Sequence, residues 1–128
     1  SQLKIKADQP VFEPDLMNFP DEKGIVRFSI APEQLLYVES ADNYVLVFYL
    51  KGNKPAKQIL RNSMKNIEGL FLHTPLKRCH RSFMVNLHQI EFVDYEKNRC
   101  RIKLSGIDNF VPVSRKFYPE IKPCIHNV

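Results

Sequence analysis

Only four glycines occur in 128 residues, and none belongs to a glycine-rich phosphate loop, a G-x-S-x-G elbow or a paired-carboxylate motif. Cysteine is also sparse. Cys79, Cys100 and Cys124 are odd in number and widely spaced, which argues against a disulfide framework and suits a reducing compartment. With His73, His80 and His88 they offer no C-x-x-C or H-x-x-x-H spacing that would preorganise a tetrahedral site, so no metal or cofactor is expected. Cys79 and His80 are adjacent, and on an extended strand neighbouring side chains leave opposite faces, so they do not form a thiol–imidazole pair. The longest uncharged apolar run, Tyr44 to Leu50, is far shorter than the roughly 20 residues that cross a bilayer. No basic start leads into an apolar signal core. The expectation is a soluble, non-enzymatic chain of the cytoplasm.

At 44% hydrophobic and 26% charged residues, the chain has the composition of one globular domain with a moderate core. The net charge of +5 is uneven: residues 1–22 carry −3 and the remainder +8. A basic body suits nucleic acid, acidic membranes or acidic proteins as partners, and charge alone does not choose among them.

Residues 1–24 contain Pro10, Pro14 and Pro20 and keep no period of 2 or 3.6, which predicts an extended arm or linker to something upstream. From Gly24 the pattern changes. Residues 25–30 alternate, Ala31 to Gln34 make a turn, and Leu35 to Glu39 read as a second strand. Asp42 and Asn43 mark a turn into the apolar strand Tyr44 to Leu50, and Lys51 to Lys54 close a hairpin onto Ala56 to Arg61. Met64, Ile67, Leu70 and Phe71 then share one helical face, with Asn62 or Ser63 as cap; Gly69 weakens that helix by about 1 kcal/mol relative to alanine. Leu76 to His80, Gln89 to Tyr95, Cys100 to Leu104 and Asn109 to Val113 are further strands. Pro119 and Pro123 limit the C-terminal end to one or two helical turns. The fold class is mainly β and antiparallel, with one short helix after the fourth strand and a short terminal helical turn.

Three polar corners interrupt this β pattern. Arg78, His80, Arg81 and Ser82 form a basic head on the apolar Phe83-Met84-Val85 tail that stops at Asn86. Ser40 to Tyr44 and Val111 to Lys116 have the same mixed character. Arginine can bond guanine O6 and N7 together, asparagine can pair with adenine, and serine and lysine hold phosphates. Each residue also has a plainer role: Asn43 as a turn former, Tyr44 as the first core residue of a strand, Arg81 as a solvated charge, Asn86 as a turn residue or cap. Two other readings are a protein-interaction module with a basic docking face and a β-sheet RNA binder stacking bases on Tyr44, Phe48 and Tyr49.

His80-Arg81-Ser82-Phe83-Met84-Val85-Asn86 resembles the H-R-S-[FY]-x-V-N signature of LytTR-type DNA-binding domains of bacterial transcription regulators. Leu36 to Tyr44 resembles the family's first strand-and-loop block, Leu60 to Met64 the lead into its helix, and Val111 to Arg115 its closing P-V-S-R block. The resemblance covers about residues 25–123, leaving 1–24 as linker and 25–128 as the domain. It implies an elongated antiparallel β fold that binds double-stranded DNA, at repeated sites, through loops placed in successive major grooves. Position by position it implies base reading near Asn43, at Arg81 and at Arg115, and DNA contacts from Ser82, Ser114, Lys116, Arg78 and Arg61. His80 either faces DNA or locks its corner through the backbone, and the second is the expectation. The family's usual setting implies an upstream receiver or sensor domain, a two-component response regulator, and room for a homodimer on DNA.

Overall fold

The computed structural model describes residues 15–125. In chain order the elements are β1 (Met17–Pro20), β2 (Val26–Ile30), β3 (Leu35–Ala41), β4 (Tyr44–Lys51), β5 (Lys54–Leu60), α1 (Met64–Leu70), β6 (Leu76–His80), β7 (Phe83–Asn86), β8 (Ile90–Glu96), β9 (Arg99–Leu104), β10 (Phe110–Val113) and α2 (Tyr118–Ile125). Every strand pairing is antiparallel. A five-stranded sheet runs in the order β5-β4-β3-β7-β6, flanked by the hairpin β1-β2 and a three-stranded sheet β10-β9-β8. Single 3₁₀ turns, Pro32–Gln34 and Leu87–Gln89, lead into β3 and β8.

The central strand explains the layering. Leu35, Leu36, Tyr37 and Val38 are all buried, because the five-stranded sheet is covered on both faces. The register slips between Leu35 and Tyr37, so Leu36 and Tyr37 enter one core while Leu35 and Val38 enter the other. On β7, Met84 and Val85 divide in the same way. One core gathers Met17, Phe19 and Ile30 of the hairpin with Met64, Ile67 and Phe71 around α1. The other gathers Ile102, Leu104, Val111 and Val113 of the small sheet with Ile121 and Ile125 of α2. Asn109 Nδ2 donates to the Tyr37 hydroxyl at 3.2 Å, and Gly106, at a φ of 78°, lies where a Cβ would meet Leu50 Cδ2 at 3.1 Å. The small sheet is thereby seated on the large one.

The first strand corrects the expected linker. Residues 1–14 lie outside the described residues, but Met17–Pro20 pairs with β2, and Phe19 is fully buried, stacked on Phe28 at 5.1 Å and against Phe71 at 4.9 Å. Burying such a ring contributes about 1.5–3 kcal/mol. Four residues ending in proline show too little alternation to read as a strand; Pro20 is tolerated at the strand end, where the register already slips. The hairpin turn is built on Asp21, whose carboxylate accepts from Arg27 Nε at 2.8 Å and from the Lys23 and Ile25 amides. The Arg27 bond above all holds its pKa below the ordinary value. Because of this extra strand, α1 follows the fifth strand, not the fourth.

Two helix expectations also change. Ser63 caps α1 by accepting from the Asn66 amide at 3.1 Å, but Leu70 is 54% exposed, since it lies at the margin of the stripe defined by Met64, Ile67 and Phe71. Pro123 sits inside α2, not at its end. Its missing N–H removes one internal bond, and the turns still bury Ile121 and Ile125 four residues apart. No helix among the described residues is long and apolar enough to cross a membrane.

Candidate nucleic-acid interface

Antiparallel pairing brings the polar corners to one end. Ala41 pairs with Tyr44, closing a two-residue turn in which Asp42 has a φ of 56°, a backbone that aspartate tolerates. Glu39 pairs with Phe83, and the Ser40 amide donates to the Ser82 carbonyl at 2.9 Å, so the Arg81-Ser82 corner adjoins the Asp42-Asn43 turn. The Ser114 amide donates to the Cys79 carbonyl at 2.9 Å, attaching the segment after β10 beside the end of β6. Leu60 pairs with Val45, which puts Arg61 at the same end.

Asn43, Arg81, Arg115 and Lys116 are exposed. Among the described residues no ion pair engages Arg81, Arg115 or Lys116, leaving their charge available to a polyanion. Ser82 is half-buried and contributes its main chain, accepting from Ser40 and donating its amide to His80 Nδ1 at 3.0 Å. His80 therefore bonds the corner's backbone and sets its ring edge-on to Phe83 at 5.5 Å. Burial first, then the charges of Arg81 and Arg78, push its pKa below the ordinary 6.5, which favours the neutral acceptor that this bond needs.

Three other expected contact residues have partners within the protein. Arg61 pairs with Glu22 at 2.9 Å, donates to the Tyr44 hydroxyl at 3.1 Å and lies 5.4 Å over that ring. Tyr44 is thus partly exposed at 39%, a support for Arg61 at the mouth of its strand. Arg78, expected beside phosphate, has a side chain only 17% exposed, with its guanidinium on Glu68 and on main-chain carbonyls. Ser114, expected at DNA, engages the protein through its main chain alone: its carbonyl accepts from the Phe117 and Tyr118 amides, starting the turn into α2, while its buried Oγ has no hydrogen-bond partner among the described residues. Asn86 lies at the far end of β7, donating to the Pro32 and Leu35 carbonyls at 2.9 and 2.7 Å and accepting from the His88 amide.

The β8-β9 turn adds residues that the sequence pattern marks only as a turn. Glu96 pairs with Arg99, and Cys100 with Val113, so Lys97, Asn98 and Arg99 stand at the same end as Arg115. They border an open cleft of about 680 Å³ shared with His80, Ser114 and Arg115. Lys97 and Arg99 are exposed and have no ion pair among the described residues, whereas Arg101 is held by Asp94 at 2.7 Å. The spacing Lys97, Arg99, Arg101 around a turn was the available signal.

Other chemistries find little here. Burial pushes the Cys79 thiol up to about 12, far from a nucleophilic thiolate. Phe48 stacks on Tyr37 at 4.3 Å in one core while Tyr49 packs against the other, so these aromatics do not form an RNA-stacking platform. Among the described residues no three His, Cys, Asp or Glu side chains converge on a metal-sized site.

The family model for the LytTr DNA-binding domain matches residues 26–126. Among solved structures, the chain is similar to the LytTr DNA-binding domain of a protein described as a methyl-accepting/DNA response regulator from Bacillus cereus. The TM-score is 0.67 at 19% identity, covering 85% of this chain and 94% of that one. Nothing among curated proteins matches. With the family match running from the first residue of β2 past the end of α2, and exposed basic side chains gathered at one end of that fold, the chain belongs to the LytTR family of DNA-binding domains.

Proposed function

We propose that this DNA-binding domain serves transcription regulation by reading duplex DNA through loops, with Asn43, Arg81 and Arg115 meeting base edges in the major groove. Lys116 and the half-buried Ser82 corner lie against phosphates, as does Arg61 once released from Glu22. The domain begins at β1, and the residues ahead of it link to an upstream receiver or sensor domain of a cytoplasmic two-component regulator. Two copies on repeated sites would bind as a homodimer. The observation that carries this reading is the pair of backbone bonds, Ser40 to Ser82 and Ser114 to Cys79, that bring three polar corners side by side while Arg81 and Arg115 stay exposed, with no ion pair among the described residues. The likeness to the Bacillus cereus response-regulator domain supports the regulatory setting.

Selection of bound duplexes from a randomised pool tests it and yields the site. If Arg81 or Arg115 bonds a base bidentately, alanine there costs on the order of 1 to 3 kcal/mol and flattens preference at that base. Site selection by the Arg81→Ala, Arg115→Ala double variant that matches wild type would sink the assignment.

A further inference from the structure

Arg78 has an unusual set of partners for a residue of a basic surface. Its Nε donates to the His80 carbonyl at 3.0 Å and its Nη2 to the Arg81 carbonyl at 2.7 Å, so one guanidinium grips the two carbonyls that flank the Arg81 Cα. Its Nη1 donates to Glu68 Oε1 at 2.8 Å, and its Cζ lies 5.5 Å from the Phe117 ring, two residues beyond Arg115. The next residue, Cys79, accepts the Ser114 amide through its carbonyl. One side chain thus touches the Arg81 corner, the helix α1 and the segment that carries Arg115. Three of its five donors are engaged inside the protein, and a phosphate would have to compete with a carboxylate already in charge-assisted contact.

We infer that Arg78 is a positioning residue for sequence reading: it holds the Arg81 corner in fixed relation to the Arg115 segment, so that the two arginines meet DNA at a set separation. This rests on the proposed base reading by Arg81 and Arg115. The planar fork is essential to the role, because two carbonyls and a carboxylate are held at once in directions that a lysine ammonium does not reproduce. A position error of an ångström at a reading arginine abolishes bidentate geometry while leaving charge attraction intact.

The test uses the whole chain, a duplex that the wild type recovers from a randomised pool, and a scrambled duplex of equal length, with the ratio of the two Kd values followed across salt concentration. Arg78→Lys keeps the charge and loses the fork. It is expected to lower the ratio about tenfold, within the range of one bidentate base contact, with the log–log salt slope unchanged. Glu68→Gln removes a negative charge from a DNA-binding protein and is nevertheless expected to lower the ratio, and the two changes together do little more than either alone. Arg81→Ala is measured beside them. If it keeps the wild-type ratio, base reading at this corner is wrong and the positioning role falls with it. If Arg81→Ala loses discrimination while Arg78→Lys and Glu68→Gln both retain it, base reading stands and the positioning role is overturned. A salt slope reduced by about 0.9 in Arg78→Ala with discrimination intact makes Arg78 a phosphate contact and equally overturns the inference.

Discussion

Glu22 holds Arg61 twice: its amide donates to the Arg61 carbonyl at 2.8 Å, and its carboxylate meets Arg61 Nε at 2.9 Å. The turn of the N-terminal hairpin is thereby fastened to the junction of β5 and α1, next to Tyr44 and the Asn43 turn. An acidic residue stands against a cation at the proposed DNA face. Exposed pairs of this kind contribute little to stability, so Glu22→Gln should leave the urea midpoint near that of the wild type. Its effect should appear in DNA binding, as tighter affinity for every sequence and a log–log salt slope steeper by up to about 0.9 if Arg61 then meets a phosphate. An unchanged slope would place Arg61 away from the DNA backbone.

Lys97 and Arg99 belong to no motif of the sequence, yet they are exposed beside Arg115 and have no ion pair among the described residues. Replacing either with alanine should weaken selected and scrambled duplexes alike and lower the salt slope by about 0.9 for each phosphate no longer neutralised. Equilibrium titrations at several salt concentrations check this. Loss of discrimination at one base pair would instead make the β8-β9 turn a reader.

His80 gives the corner a pH dependence with a definite sign. The folded pKa lies below the ordinary 6.5, so in acid the unfolded chain takes up a proton that the folded corner resists. The His80 contribution is therefore fully present above 6.5 and is lost as the pH falls toward the folded value. Urea midpoints measured between about pH 7 and pH 5 should decline. In His80→Asn, which offers the Ser82 amide a non-titrating acceptor, the decline should be shallower. An identical slope in both proteins would remove His80 as its source.

The hairpin β1-β2 belongs to the folded unit through Phe19, which meets both Phe28 and Phe71. Phe19→Ala should destabilise the domain by about 3–5 kcal/mol, the usual result of emptying a buried ring site, read by denaturant unfolding. A destabilisation below about 1 kcal/mol would mean that the hairpin is peripheral.

What was legible in the sequence was what rests on local chemistry. Asp42-Asn43 announces its turn because both residue types tolerate the left-handed backbone that Asp42 adopts at a φ of 56°, and Asn62-Ser63 announces the helix start because a polar side chain just ahead of an apolar stripe can cap it. The tail Phe83-Met84-Val85 shows burial because both faces of β7 are covered. What was not legible depends on contacts between distant segments. Arg78 looks like any surface arginine until Glu68, Phe117 and two carbonyls are assembled around it, and no spacing encodes that. Met17–Pro20 is too short to show a period, and its pairing with β2 and the ring of Phe71 decide its fate. Pro123 reads as a helix end on local grounds, yet burial of Ile121 and Ile125 outweighs one missing bond. Lys97 and Arg99 carried a signal in their charge, but only the pairing of Cys100 with Val113 brings them beside Arg115.

The central claim is that Asn43, Arg81 and Arg115 address DNA from one side and reach more than one groove. Methylation interference at guanine N7 on a selected duplex tests it most directly. The account predicts interfering guanines confined to one face of the helix, with separate subsets of them disappearing in Arg81→Ala and in Arg115→Ala. Interfering guanines on opposite faces of the duplex, or a pattern left unchanged by both substitutions, would contradict it.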